Sequence, residues 1–173
     1  ELRFRDPELD RYRQLMLYNL NAGEAVLTDN NDIRIYTDGK EKFKALLWEM
    51  EHARSYIHLQ YYIIKRDELW KQIEEVLIRK ARQGVEVRVL FDSMGCRTMH
   101  NKDWERLEAE GIHVAEFFPA VLGKLQLRVN YRNHRKIAVI DGRIGFVGGF
   151  NIGREYLGRD PKFGYWRDTH ICL

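Results

Sequence analysis

Between Asp32 and Phe118 the hydrophobic period of the chain alternates between two and about 3.6 residues, segment after segment. Strand-like runs are predicted over 32–36, 55–64, 85–91 and 113–118, with helical faces over 41–53, 68–83 and 102–109. Phe43, Leu46, Leu47 and Met50 make one such face, and Gly84 and Gly111 stand where the later two helices should stop. Strand, helix, strand in regular succession argues for α/β layering around a sheet. Ahead of it, Leu9, Tyr12, Leu15, Met16 and Leu20 predict a helix over 8–20, started by Asp6-Pro7.

At 173 residues, 45% hydrophobic and 12% aromatic, the chain excludes disorder and can bury one good core, so a single domain over 1–173 is expected. The net charge of +3 is too small to mark a dedicated nucleic-acid binder. Charge is instead local. From Phe117 to Ile140 there are five basic residues (Lys124, Arg128, Arg132, Arg135, Lys136) and no acidic one. Beside them, Phe117, Phe118, Pro119, Ala120, Val121 and Leu122 form an apolar stretch that either packs or dips into a lipid interface.

Cys96 and Cys172 make neither a disulfide framework nor a metal-ligand spacing, so a reducing compartment and no metal are expected. No apolar run reaches the roughly 18 residues of a membrane span, and no signal-peptide pattern opens the sequence. The segment is expected to be soluble. It starts at Glu1 and stops inside a strand-like run at Leu173, which reads as a piece of a longer protein.

The chemistry concentrates between His134 and Asn151. Two apolar runs flank Asp141-Gly142, a strong signal for a two-residue hairpin. Strand alternation puts His134, Lys136, Ala138 and Ile140 on one face. With a two-residue loop, Ile140 faces Arg143, Ala138 faces Gly145, Lys136 faces Val147 and His134 faces Gly149, and Asn151 returns to the face of His134. An imidazole beside an ammonium and an amide, next to a glycine gap, suits a tetrahedral anion. The lysine serves as point charge, the asparagine as donor and the histidine as nucleophile or base. The one similar pattern, His100-x-Lys102, lacks an aspartate at the matching position and reads as a helix start.

The arrangement His134-x-Lys136-x4-Asp141, followed by Gly148-Gly149-x-Asn151, resembles the signature of the phospholipase D superfamily. Its surroundings, Asn130 to Asn133, Asn151 to Gly158 and Trp166 to His170, look like bacterial cardiolipin synthase, as do Ile57 to Ile63, Lys80 to Arg88 and Asp92-x-x-Gly95. Trp70 and Cys96 depart from it, where a small residue and a serine are expected.

The resemblance implies a mixed β-sheet sandwiched between helical layers. It implies phosphatidyl transfer between two phosphatidylglycerol molecules, giving cardiolipin and glycerol through a phosphohistidine and without a cofactor. Such enzymes carry two motifs, and this chain carries one. It is therefore expected to be the first half of a two-motif enzyme, inactive alone unless it dimerises. The partners implied are anionic phospholipid, a membrane surface and the second half or a homodimer mate, with no nucleic acid. The location implied is the bacterial cell membrane, through segments of the parent protein.

His134, Lys136, Asp141 and Asp168 form the candidate catalytic set. Asp141, an odd number of residues from His134, should face away from the imidazole and serve the turn. Asp168 is expected to orient His134. Lys136, Asn151 and Gly149 are the candidate phosphate-binding residues, with His170 and Asn133 as further site-lining residues. Two alternatives stay open. One is a single-motif nuclease or phosphodiesterase of the same superfamily acting as a homodimer; the other is a non-catalytic basic module that binds anionic lipid or nucleic acid.

Overall fold

The computed structural model describes residues 6–28, 31–117 and 132–173. The residues of the expected single domain pack as two compact units, Glu1–Asp32 and Ile33–Leu173. In the first, the helix expected over 8–20 is split. Asp6 accepts a hydrogen bond from Glu8 N at 2.9 Å and opens a 3-10 turn over Pro7–Tyr12, and α1 follows over Arg13–Gly23. Neither element buries a side chain.

The second unit holds a seven-stranded mixed sheet with helices. Its elements are β1 (Arg34–Asp38), α2 (Gly39–Glu51), β2 (Tyr56–Tyr61), α3 (Glu68–Arg82), β3 (Glu86–Asp92), α4 (Asn101–Ala109), β4 (His113–Phe117), β5 (Ile137–Ile140), β6 (Ile144–Gly148) and β7 (Arg167–Cys172). The strand order is β1-β7-β6-β5-β2-β3-β4. The β2–β3 and β3–β4 pairs are parallel and the remaining pairs antiparallel.

Local chemistry starts the helices where the pattern predicts them. Asp38 accepts from Lys40 N and Glu41 N at the start of α2, and Asp67 accepts from Leu69 N and Trp70 N at the start of α3. His100 is the N-cap residue of α4, and its N–H donates to Asp103 Oδ2 at 2.9 Å. The core forms where the helices meet alternate residues of the central strands. Ile57, Leu59 and Tyr61 of β2, Val87, Val89 and Phe91 of β3, Ala138 and Ile140 of β5, and Phe146 of β6 are buried with Leu46, Met50, Ile73, Leu77 and Leu107 of the helices. Trp70 and Trp104 pack edge to face in this core, so the departure at Trp70 is filled by aromatic packing.

The hairpin register differs from expectation by one residue. Asp141 (φ 54°) and Gly142 (φ 64°) both take the left-handed conformation, and Arg143 N donates to Ile140 O at 3.0 Å, as in a two-residue turn. Arg143 is then left out of the ladder, and pairing runs Ile140 with Ile144, Val139 with Gly145, Ala138 with Phe146 and Ile137 with Val147. A one-residue slip exchanges the faces of a strand. Phe146 therefore enters the core while Val147 points outward.

The antiparallel and parallel pairings bring chain ends from across the sheet to one end of the strands. β1, β2, β3, β4 and β6 end there, and β5 and β7 begin there.

Candidate active site at the sheet end

His134 and Lys136 precede β5, which begins at Ile137, so the expected shared strand face lies just beyond the strand itself. The two side chains nevertheless meet. Lys136 Nζ lies 2.7 Å from His134 Nδ1 and 2.6 Å from His134 O. The histidine is exposed and the lysine buried. Tyr62, just past β2, closes the pair from one side: its ring centroid is 4.3 Å from that of His134, and Lys136 Nζ stands 5.3 Å over its face.

Burial and proximity shift both groups. Burial pulls the Lys136 ammonium down to about 8, opposed by the charge of Asp168. His134 is also held below the ordinary imidazole value, first by desolvation and then by the Lys136 charge, with Asp92 acting the other way. At neutral pH the pair is therefore a neutral ring beside one ammonium. With the ammonium donating to Nδ1, the ring proton is assigned to Nε2.

Asp92, the last residue of β3, positions the histidine through the backbone. It is buried, and its Oδ1 accepts from Met94 N and Gly95 N while its Oδ2 accepts from Asn133 N at 3.1 Å. Asn133, expected as a lining residue, is buried, and its Oδ1 accepts from Arg135 N. It shapes the backbone on either side of His134.

Asp168 does not orient His134 as expected: among the described residues no hydrogen bond joins them. Lys136 Nζ already occupies Nδ1, and the carboxylate instead lies against Gly149 and accepts from Thr169 N at 2.7 Å. Its charge acts on Lys136. The glycine pair, expected to leave a gap facing the histidine, accommodates β7 instead. A Cβ on Gly149 would stand 1.9 Å from Asp168 Oδ1, and one on Gly148 would stand 2.4 Å from His170 Cα.

Asn151 is buried with both ends of its amide engaged. Its Oδ1 accepts from Ile63 N at 3.0 Å and its Nδ2 donates to Tyr156 Oη at 2.9 Å. Its second amide hydrogen is what it has to offer an anion. Ile152 N to Ile63 O and Lys65 N to Ile152 O pin this segment alongside the exit from β2. Burial raises the Tyr156 hydroxyl to about 12, so it serves as a neutral partner for the amide.

Asp141 lies at the turn, at the other end of β5 from His134. Its carboxylate accepts from Arg54 N, Ser55 N and Tyr56 N at 2.8 to 2.9 Å, tying the hairpin to the start of β2. These bonds hold it below the usual carboxylate value against the opposing effect of desolvation.

His170 is fully buried and stacks on Phe150, and among the described residues neither ring nitrogen has a hydrogen-bond partner. Burial, with the charges of Lys42 and Lys136, lowers it to about 3, so it stays neutral behind the site. Cys96 is buried, its thiol pushed up to about 12 mainly by burial, and its sulfur accepts from Ile64 N. Tyr62 and Asp92 were absent from the sequence-derived set. The available signal was the pair of strand-terminal positions in Tyr61-Tyr62 and Asp92-x-x-Gly95.

Apart from Phe117, the apolar stretch over 117–122 lies outside the described residues, as do Lys124 and Arg128 of the basic patch. Among the described residues, no group of three or more His, Cys, Asp or Glu side chains is arranged to hold a metal ion. No helix among them is long and apolar enough to cross a membrane.

The strand order and the histidine–lysine pair at the sheet end define a phospholipase D-like domain. A family profile described as the phospholipase D-like domain of cardiolipin synthase matches residues 46–161, and the chain belongs to that family. It is 55% identical over 161 residues to the major cardiolipin synthase ClsA of Bacillus subtilis, covering 93% of this chain and 33% of that protein. It is likewise 55% identical over 160 residues to a cardiolipin synthase of Staphylococcus aureus, covering 92% and 32%. The chain thus spans about a third of the length of these curated relatives.

Among solved structures, it shares the fold of phosphatidylserine synthase from Haemophilus influenzae, with a TM-score of 0.65 at 16% identity over 96% of this chain and 37% of that one. It also shares the fold of Nuc, a phospholipase D family member from Salmonella typhimurium, with a TM-score of 0.57 at 16% identity over 82% and 81%.

Proposed function

We propose that this chain supplies one half-site of a cardiolipin synthase, a phosphatidyltransferase acting on phosphatidylglycerol at the bacterial cell membrane. The observation that carries the proposal is the contact of Lys136 Nζ with His134 Nδ1 at the sheet end. A mostly neutral imidazole beside a buried ammonium unites a nucleophile with a cation fixed where phosphoryl charge grows. The names of the curated relatives give the reaction class.

In the proposed chemistry the phosphate draws the Lys136 ammonium off Nδ1, the ring proton passes from Nε2 to Nδ1, and the freed Nε2 lone pair of His134 attacks the phosphorus of a first phosphatidylglycerol. A P–N bond forms, the P–O bond to the headgroup glycerol breaks, and glycerol leaves with a proton from an acid on the second half-site. A hydroxyl of a second phosphatidylglycerol then attacks the phosphohistidine and returns its proton to that group; a P–O bond forms, the P–N bond breaks, and cardiolipin and free His134 result. Lys136, and the remaining N–H of Asn151, hold the non-bridging oxygens; Asp168 keeps Lys136 charged, and Asp92 fixes the backbone that carries His134. Asp141 holds the hairpin.

The chain is incubated with phosphatidylglycerol vesicles, alone and with the remaining part of a cardiolipin synthase, and cardiolipin and glycerol are followed. Turnover that requires the second part and disappears in His134→Ala supports the half-site. Turnover by the chain alone would identify a homodimeric site instead. Anion binding without turnover under every condition would leave a binding module and overturn the proposal.

A further inference from the structure

The loop between the 3-10 turn at Arg154–Leu157 and β7 has no part in the chemistry above, yet it exposes two aromatic rings. Phe163 is 46% and Tyr165 69% exposed, two rings side by side on one loop. Cations accompany them. Lys162 Nζ stands 5.5 Å over the Phe163 ring, and Arg167 is exposed at the loop's end. The loop's acidic residue, Asp160, is drawn inward by Arg154 at 3.5 Å and by Lys162 N. Arg159 pairs with Glu68 at 4.0 Å.

The loop is also fixed to the candidate site. Trp166 packs edge to face on Tyr156 at 5.0 Å and on Phe163 at 5.6 Å. Tyr156 Oη in turn accepts the hydrogen bond of Asn151 Nδ2. One residue beyond Arg167 comes Asp168, against Gly149.

We propose that Phe163 and Tyr165, with Lys162 and Arg167, form a docking surface for an anionic phospholipid bilayer. A tyrosine ring settles at the headgroup level of a membrane, a phenylalanine ring enters the acyl boundary, and neighbouring cations add attraction to anionic lipid. A protein partner would meet the same rings, but Lys162 and Arg167, which pair with no carboxylate among the described residues, favour an anionic lipid surface. The choice of lipid as occupant rests on the function proposed above, whereas the binding itself requires no turnover. Seated this way, the loop brings the sheet end within reach of headgroups, anchored through Trp166, Tyr156 and Asn151.

The test is co-sedimentation of the chain with phosphatidylcholine vesicles and with vesicles that also contain phosphatidylglycerol. Binding is expected to require phosphatidylglycerol and to weaken as salt rises. The double variant Phe163→Ser, Tyr165→Ser should bind about tenfold more weakly, and Lys162→Glu, Arg167→Glu should lose the preference for phosphatidylglycerol. His134→Ala and the exposed control Trp48→Ser should bind as the wild type does, and the circular dichroism melts of all variants should coincide.

Wild-type binding by the aromatic variant would overturn the proposal, as would loss of binding in His134→Ala, which would put the lipid in the phosphate site alone. No vesicle binding at all would overturn it in favour of a protein-facing patch. Loop-dependent binding without turnover in the presence of the second half would sustain the docking surface while counting against the proposed reaction.

Discussion

Asp168 fills the space that a side chain at Gly149 would occupy, with its Oδ1 1.9 Å from the position of the missing Cβ. The two glycines of the pair therefore make different predictions. At Gly148 an added Cβ meets backbone, His170 Cα and Thr169 O, both at 2.4 Å. Gly148→Ala must separate β6 from β7 and should cost about 3 kcal/mol in chemical denaturation. At Gly149 the obstacle is a carboxylate that can swing away, so Gly149→Ala should cost about 1 kcal/mol. It should act on the site instead, lowering the Lys136 pKa further below about 8 as the opposing charge of Asp168 withdraws. An NMR titration of the lysine side chain separates the two effects.

Binding of a phosphodiester anion should follow the charge of Lys136. The group sits near 8 in the free chain, so the ammonium is present below that pH and lost above it. An anion stabilises the charged form, so binding takes up a proton above pH 8 and weakens by about tenfold per pH unit. Calorimetry in two buffers of different ionisation enthalpy reads the uptake. A pH-independent affinity between 7 and 9 would contradict it. Lys136→Met should abolish the effect along with the binding.

Asp141 anchors a turn, and its removal should be read in stability. Asp141→Ala leaves Arg54 N, Ser55 N and Tyr56 N without their acceptor and places alanine at φ 54°. A loss of about 2 kcal/mol is expected in urea denaturation. Anion affinity per folded molecule should stay within about twofold. A collapse of affinity with unchanged stability would instead place Asp141 in the chemistry.

His170 should make the fold sensitive to acid. Its folded value of about 3 lies below the unfolded 6.5, so between those values the unfolded chain binds more protons and stability falls as pH drops. The loss from this group should be on the order of 3 kcal/mol by pH 4. In His170→Phe the slope of stability against pH between 6 and 4 should flatten, even if the variant is less stable at pH 7.

The sequence by itself determined the succession of strands and helices, because the hydrophobic periods and the caps at Asp38 and Asp67 are local signals. It also determined that His134 and Lys136 would meet, since residues two apart in extended chain share a side whether or not a ladder follows. The partners of the Asp141 carboxylate were decided outside that pattern: its three bonds come from the chain 85 to 87 residues earlier. Only the tertiary structure fixed the hairpin register, because Arg143 drops out of the ladder although Asp141-Gly142 forms the expected turn. That slip, with the pairing of Gly148 and His170, sent Asp168 to Gly149 and Lys136 instead of to His134. Tyr62 and Asp92 entered the site for the same physical reason. They lie at the ends of strands distant in sequence, and long-range pairing alone brings those ends together at one end of the sheet.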